Sequence, residues 1–126
     1  MLKNCMLRDS DKYIEKGYLV IDITRTAGHI LSPFWNTINN FKRETESIGK
    51  EAAWENFIPD YLNDINTIGA DREIKSIINL VEIYDKQNLH VYLACYCNTS
   101  KFCHRFLLFD KIDKLIVNRQ KSLDDY

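Results

Sequence analysis

The chain has 126 residues, a formal net charge of −1 and a hydrophobic share of 45%, which is typical of a single globular domain over residues 1–126. So small a net charge disfavours a broad nucleic-acid surface, because phosphate-driven binding requires a field of Lys and Arg. No run approaches the roughly 18 consecutive apolar residues of a membrane helix, and residues 1–10 lack the apolar core of a signal peptide.

We therefore expect a cytoplasmic protein without a membrane partner. Its abundance of Asn, Ile, Lys and Tyr is typical of AT-rich genomes, so we expect a bacterial or phage-infected cell. The four cysteines are expected to be thiols, since disulfides are rare in a reducing compartment. The sequence leaves the choice between a monomer and a homodimer open.

Four segments have the pattern of strands. Residues 1–7 predict the first. Residues 18–24 are apolar on both faces and rich in β-branched side chains, which predicts a central strand of a parallel sheet. Residues 89–95 share this pattern, and residues 115–118 predict a short edge strand.

Helical patterns begin after the second of these strands. Ser32 and Pro33 are favourable cap and first-turn residues, so they predict the start of a helix. Residues 54–68 then carry apolar side chains at three- and four-residue spacing. Pro59 interrupts that spacing and predicts a kink or a break near Ile58.

A third helix is predicted over about residues 71–86 with Asp71 as its cap, and a fourth follows the strand at 89–95. Strands that alternate with helices predict an α/β fold, a compact three-layer sandwich with a small, mostly parallel sheet and helices on both faces. In such folds ligands bind beyond the carboxyl ends of the strands. The loops at residues 25–31 and 96–102 leave those ends, and we expect them to face each other.

The second of these loops has the features of an anion site. Asn98, Thr99 and Ser100 are turn and N-cap residues. The helix that follows offers free backbone N–H groups and the positive end of its dipole, and Arg105 adds a planar donor fork for phosphate or carboxylate.

The same loop carries nucleophile candidates in Cys97 and Cys103, with His104 as an adjacent proton carrier. Thr99 stands where a cysteine phosphatase would carry its Cys, six positions before the Arg, so that reading is disfavoured. The spacing also disfavours zinc, because adjacent residues such as Cys103 and His104 point in different directions on a helix. We therefore favour a metal-free site, and Cys95, at the end of an apolar strand, is expected to be core.

The first loop supplies the opposite wall of the expected pocket. Asp22 lies in an apolar strand, where a carboxylate requires a partner, and Arg25 or Arg105 could be that partner. An ion pair that orders the loop and a catalytic role for Asp22 are equally open. Arg25 and His29 could complete an anion pocket. Trp35 is expected either to pack in the core or to stack on a flat ring in the pocket.

The segment Leu93-Ala94-Cys95, followed by Cys103-His104-Arg105 at a helix start, resembles the signature of the DUF488 family. The pair Asp22 and Arg25 and the segments at 31–35 and 54–61 extend the resemblance over most of the chain. The resemblance implies a compact α/β fold and a shared pocket, but no activity. The sequence departs from the family pattern at Cys97, where many relatives carry Glu.

These observations lead to one expectation and two alternatives. We expect binding of a phosphate-bearing small molecule, a nucleotide or nucleotide-derived signal, which the protein could sequester without turnover and without a cofactor. The first alternative is an enzyme with Cys97 or Cys103 as nucleophile, His104 as proton carrier and Asp22 as orienting group. The second is an interaction module whose cysteines are core.

Overall fold

Three parallel strands form the centre of the protein. The computed structural model describes residues 1–96 and 102–124, and within them the strands are β1 (Leu2–Met6), β2 (Leu19–Asp22) and β3 (Val91–Cys95). Their order in the sheet is β1-β3-β2, with both neighbouring pairs parallel. All five residues of β3 are buried, as expected for the middle strand of a covered parallel sheet.

The helices account for most of the remaining chain. After a short 3-10 turn at Leu7–Asp9, they are α1 (Ser10–Ile14), α2 (Trp35–Ile48), α3 (Lys50–Asp64), α4 (Ile68–Asp85) and α5 (His104–Asp124). No helix of the described residues has the length and apolarity that crossing a bilayer requires.

The two faces of the sheet are covered unequally. On one face α3, α4 and α5 enclose the main core, with fully buried residues such as Tyr61, Ile77 and Leu108. The other face has a smaller cluster around Tyr92, whose ring is stacked on Tyr13 of α1 at a centroid distance of 4.1 Å. The architecture is therefore α/β, mostly helical and compatible with a three-layer sandwich.

The strand β2 is an edge strand of the described sheet, whereas its sequence predicts a central one. Its apolar side chains alternate between the two clusters, with Leu19 and Ile21 against the main core and Val20 on the other face. Both faces of β2 are therefore covered although it pairs only with β3. Apolar residues on both faces of a strand therefore indicate that both faces are covered. They do not indicate whether the strand is central or at the edge of the sheet.

The prediction of an edge strand over residues 115–118 is wrong, because this segment lies within α5. Ile112 and Ile116 are buried one helical turn apart, while Leu115 and Val117 are exposed. Three aliphatic residues in a row, two of them β-branched, resemble a strand locally. Over the longer segment the apolar residues recur at spacings of three and four residues, which is the pattern of a helix.

Two helix starts also differ from the sequence predictions, and of the kink or break predicted near Ile58, the break does not occur. The helix α3 continues through Pro59, which is exposed, so the Glu55 carbonyl that loses its intrahelical partner can reach water. The cap of α4 is Thr67, whose hydroxyl oxygen accepts a hydrogen bond from the Ala70 N–H at 3.1 Å; Asp71 lies inside the first turn instead.

The start of α2 is capped from a distance. The Asp64 carboxylate, at the end of α3, accepts hydrogen bonds from the Phe34 N–H at 2.9 Å and the Thr37 hydroxyl at 2.6 Å. This contact replaces the cap predicted at Ser32, whose hydroxyl donates to the His29 carbonyl. The first residue of the helix is Trp35, which is thereby held beside the carboxyl end of β2.

Candidate functional site

A cleft of about 380 Å³ opens beyond the carboxyl ends of β2 and β3. We call it the aromatic cleft, because its lining includes six aromatic side chains: Trp35, Phe41, Trp54, Phe57, Tyr96 and Phe102. Two cationic residues, Arg25 and Lys42, also line it. The cleft lies where parallel α/β sheets bind their ligands.

A run of rings crosses the cleft and continues into the core. Trp54, Phe57 and Tyr61 share one face of α3, and their rings are stacked at centroid distances of 4.9 Å and 5.8 Å. Phe102 meets Trp54 edge-on at 5.7 Å at one end. At the other end the Tyr61 ring meets His104 edge-on at 5.4 Å. The rings thus fix the wall of the cleft and one side of the His104 imidazole.

Three buried side chains come together at the floor of the cleft, and we call them the thiol–imidazole cluster: Cys95, Cys103 and His104. The two Sγ atoms and a ring nitrogen all lie within 4.8 Å of one another. Cys95 is the last residue of β3, and His104 is the first residue of α5. Cys103 lies just before the helix. The expectation that Cys103 and His104 point in different directions assumed that both are helical, so it does not apply.

The orientation of the His104 ring is fixed by a buried hydrogen bond. Nε2 lies 2.9 Å from the carbonyl oxygen of Ile23. A carbonyl can only accept, so Nε2 carries the proton and Nδ1 carries the lone pair. Burial lowers the pKa of His104, and the neighbouring Arg105 cation lowers it further against the opposing effect of Cys95. The ring is therefore neutral at neutral pH.

The loop after β2 is ordered by its own polar side chains. The Asp22 carboxylate accepts a hydrogen bond from the Thr24 N–H at 3.0 Å, and the Thr24 hydroxyl oxygen accepts one from the Ala27 N–H at 3.1 Å. The turn closes at Gly28, whose φ of 72° favours glycine. Asp22 thus shapes the loop that brings Arg25 to the cleft.

Arg25 carries an unusual donor. Its Nε atom is buried and has no hydrogen-bond partner among the described residues, although Arg25 lines the cleft. Lys42 was not identified in the sequence. Ile38 follows Trp35 by three residues and Lys42 follows Ile38 by four, so helical periodicity alone could have placed all three on one face of α2.

Two predicted anion-binding residues lie away from the cleft lining. The Nδ1 atom of His29 accepts from the Leu31 N–H at 3.1 Å, and its Nε2 faces Glu73 of α4 at 3.7 Å. Arg105 is buried, and one of its terminal nitrogens donates to the Cys5 carbonyl of β1 at 2.7 Å.

The structure therefore brings Arg25, Trp35, Cys103 and His104 of the predicted site residues to one cleft. Cys97, Asn98, Thr99 and Ser100 lie outside the described residues. The prediction that Cys95 is a core residue is confirmed, but Cys95 also lines the cleft. Trp54 was not predicted as a site residue, because its apolar neighbours gave no sign that one side of it faces a cavity.

The fold and the site together define a class of protein. It is a small α/β protein with an aromatic cleft and a thiol–imidazole cluster at the carboxyl ends of its strands. The chain belongs to the DUF488 family: residues 24–115 match the family model DUF488-N3a, described as "Active DUF488-N3 subclade". The match includes every cleft residue named above. No curated protein and no solved structure matches the chain.

Proposed function

We propose that this protein binds a small molecule that joins a planar ring to a negatively charged group, and that the ligand is a nucleotide or a nucleotide derivative. The observation that carries this proposal is the aromatic cleft, in which flat rings and the cations Arg25 and Lys42 line one cavity. Its volume of about 380 Å³ falls in the usual range of small-molecule sites, roughly 300–1,000 Å³.

Each part of such a ligand has a matching group. Trp35 has 56% of its surface exposed, and stacking of a base on such a ring contributes about 1–3 kcal/mol. The buried Nε of Arg25 would gain a partner from a phosphate oxygen, and a guanidinium suits phosphate geometry. Lys42 would add a second positive charge on the α2 side.

Intrinsic fluorescence provides the test. The chain has two tryptophans, and both line the aromatic cleft, so a ligand that stacks there changes the emission directly. We expect saturable quenching by members of a panel of nucleoside mono-, di- and triphosphates, and none by inorganic phosphate alone. Calorimetry on the same samples gives the stoichiometry, expected to be one ligand per chain.

Two variants make this test specific. Arg25→Ala and Lys42→Ala should each weaken binding about tenfold or more, the usual cost of losing a charged hydrogen bond. Arg72→Ala, which removes an exposed arginine of α4, is the matched control and should bind as the wild type does. Equal affinity of all three variants would show that the ligand does not use the cleft cations.

A second candidate function is an enzyme that acts on the bound molecule. It is favoured by the thiol–imidazole cluster, since Cys103 and a neutral His104 line the cleft together, as a nucleophile and a proton acceptor would. The matched family is itself described as an active subclade.

Recovery of the ligand separates the two functions. The protein is incubated with a bound nucleotide and then denatured, and the small molecule is analysed by mass spectrometry. Stoichiometric recovery of unchanged nucleotide supports binding without turnover, as in a sequestering protein. A changed mass that requires Cys103, tested with Cys103→Ala, supports the enzyme.

A further inference from the structure

The geometry points to a soft-metal site, suited to Zn²⁺, in the thiol–imidazole cluster at the floor of the aromatic cleft. Its ligands are the Sγ atoms of Cys95 and Cys103 and a ring nitrogen of His104, which all lie within 4.8 Å of one another. Thiolate sulfur and imidazole nitrogen are the ligands that zinc prefers in proteins. The inference does not depend on nucleotide binding, because these three donors require no second ligand to hold an ion.

The spacing of the donors fits a metal after a small contraction. Zinc binds sulfur at about 2.3 Å and nitrogen at about 2.0–2.1 Å, which places tetrahedral neighbours roughly 3.5–3.8 Å apart. Donors within 4.8 Å reach this separation by shifts of about 1 Å, which modest changes in side-chain torsions supply.

The hydrogen bond of His104 is a second observation that points to a metal. Metal-binding histidines almost always donate the other ring N–H to a carboxylate, a water or a backbone carbonyl. His104 has this arrangement, with Nε2 directed at the Ile23 carbonyl at 2.9 Å, so Nδ1 is the nitrogen left to bind an ion. The edge of Tyr61 packs against the same ring and limits its rotation.

Two of the three donors lie on regular elements, and Cys103 directly precedes α5. The register of β1 and β3 pairs Met6 with Cys95, and His104 begins the long helix α5. All three donors are buried yet line the cleft. Three protein ligands leave a fourth zinc position, as in catalytic sites, and this position would take a water or an anionic oxygen that enters the cleft.

Binding of the ion is an exchange of protons for metal. The ion displaces the protons of the Cys95 and Cys103 thiols, which leave to solvent, while the neutral ring of His104 gives its lone pair and releases no proton. A thiolate bound to zinc is deprotonated but less nucleophilic than a free thiolate. A metal bound here would therefore change the reactivity expected of Cys103 in the enzyme candidate.

Titration with metal alone tests the inference. The full chain is stripped with a chelator under a non-thiol reductant and titrated with Co²⁺, and Zn²⁺ is then used to displace the cobalt. We expect one ion per chain, with the visible spectrum of tetrahedral cobalt and a thiolate charge-transfer band. Cys95→Ala and Cys103→Ala should each weaken binding more than about 100-fold. Cys5→Ala, which removes a buried thiol on the other face of the sheet, should bind as the wild type does.

Zinc X-ray absorption of the wild-type protein gives a measurement that needs no variant. Two sulfur scatterers at about 2.3 Å and one imidazole nitrogen at about 2.0–2.1 Å are expected. A shell of nitrogen and oxygen only would overturn the site, as would the absence of stoichiometric binding or equal affinity in Cys95→Ala, Cys103→Ala and Cys5→Ala. None of these results bears on whether Arg25 and Lys42 bind a nucleotide.

Discussion

The hydroxyl of Tyr61 donates a 2.6 Å hydrogen bond to the backbone carbonyl of Leu31, and both residues are fully buried. This bond joins α3 to the segment that leads from the β2 loop into α2. Burial raises the pKa of the Tyr61 hydroxyl, with Cys103 and Asp64 raising it further, so the group remains a donor at any physiological pH. One phenol thus holds both walls of the aromatic cleft together.

Removing this donor should destabilise the protein. Tyr61→Phe leaves the Leu31 carbonyl buried without the hydroxyl, and we expect a loss of about 1–3 kcal/mol in the free energy of unfolding. Urea denaturation followed by circular dichroism measures it. Tyr96→Phe removes a hydroxyl from an exposed tyrosine of the same cleft and should change stability by less than about 0.5 kcal/mol. Equal effects would show that the buried bond contributes nothing.

The carboxylate of Asp64 provides a second test of how the cleft is held. Asp64→Asn weakens the cap that Phe34 and Thr37 share, so we expect a loss of about 1–2 kcal/mol. Because α2 carries Trp35 and Lys42, ligand affinity should fall as well. Asp60→Asn, at an exposed position of the same helix, should change neither quantity. If Asp64→Asn were as stable as the wild type, contacts other than the Asp64 carboxylate would hold the start of α2.

Acid should destabilise the protein in part through His29. Burial lowers the pKa of His29, against the opposing effect of Glu73. The unfolded chain therefore binds more protons as the pH falls. The stability due to neutral His29 is complete above the unfolded pKa of about 6.5 and is lost as the pH falls through the folded value.

The His29→Asn variant isolates this effect. An asparagine can still accept from the Leu31 N–H, as an Asx turn does, but it does not titrate. Urea midpoints measured between pH 7.5 and about pH 5.5, above the carboxylate range, should fall less for His29→Asn than for the wild type. Glu73→Gln removes the opposing charge and should make the fall steeper. Identical pH profiles of His29→Asn and the wild type would contradict the prediction.

The strands were predictable because hydrophobic periodicity is a local signal. The positions of β1, β2 and β3 agree with the predicted segments to within two residues at each end. The edge position of β2 was not predictable, since coverage of both faces gives the same pattern in an edge strand and a central one. The cap from Asp64 was missed for a related reason: thirty residues separate it from Phe34, and no local pattern joins them.

The candidate site was predictable in its location but not in its composition. The rule for parallel sheets led to the loops after β2 and β3, and Arg25, Cys103 and His104 line the cleft there. Helical periodicity could have placed Lys42 on the face of α2 that carries Trp35, but which side chains of α3 face a cavity depends on packing, so Trp54 required the structure. The prediction for Cys103 also depended on where α5 begins. The sequence placed Cys103 at the helix start, whereas α5 begins one residue later, at His104.

The helical state of residues 115–118 leads to a final prediction about the core. Ile116 is 9% exposed and packs in the main core, whereas its neighbour Leu115 is 41% exposed. Ile116→Ala should therefore cost about 2–4 kcal/mol of unfolding free energy, and Leu115→Ala less than about 0.5 kcal/mol. Ile112→Ala should match Ile116→Ala, because one turn of α5 places both isoleucines on the buried face. If Leu115→Ala were as costly as Ile116→Ala, the segment would have to face the core with a different set of residues, and the helical register of α5 would be wrong.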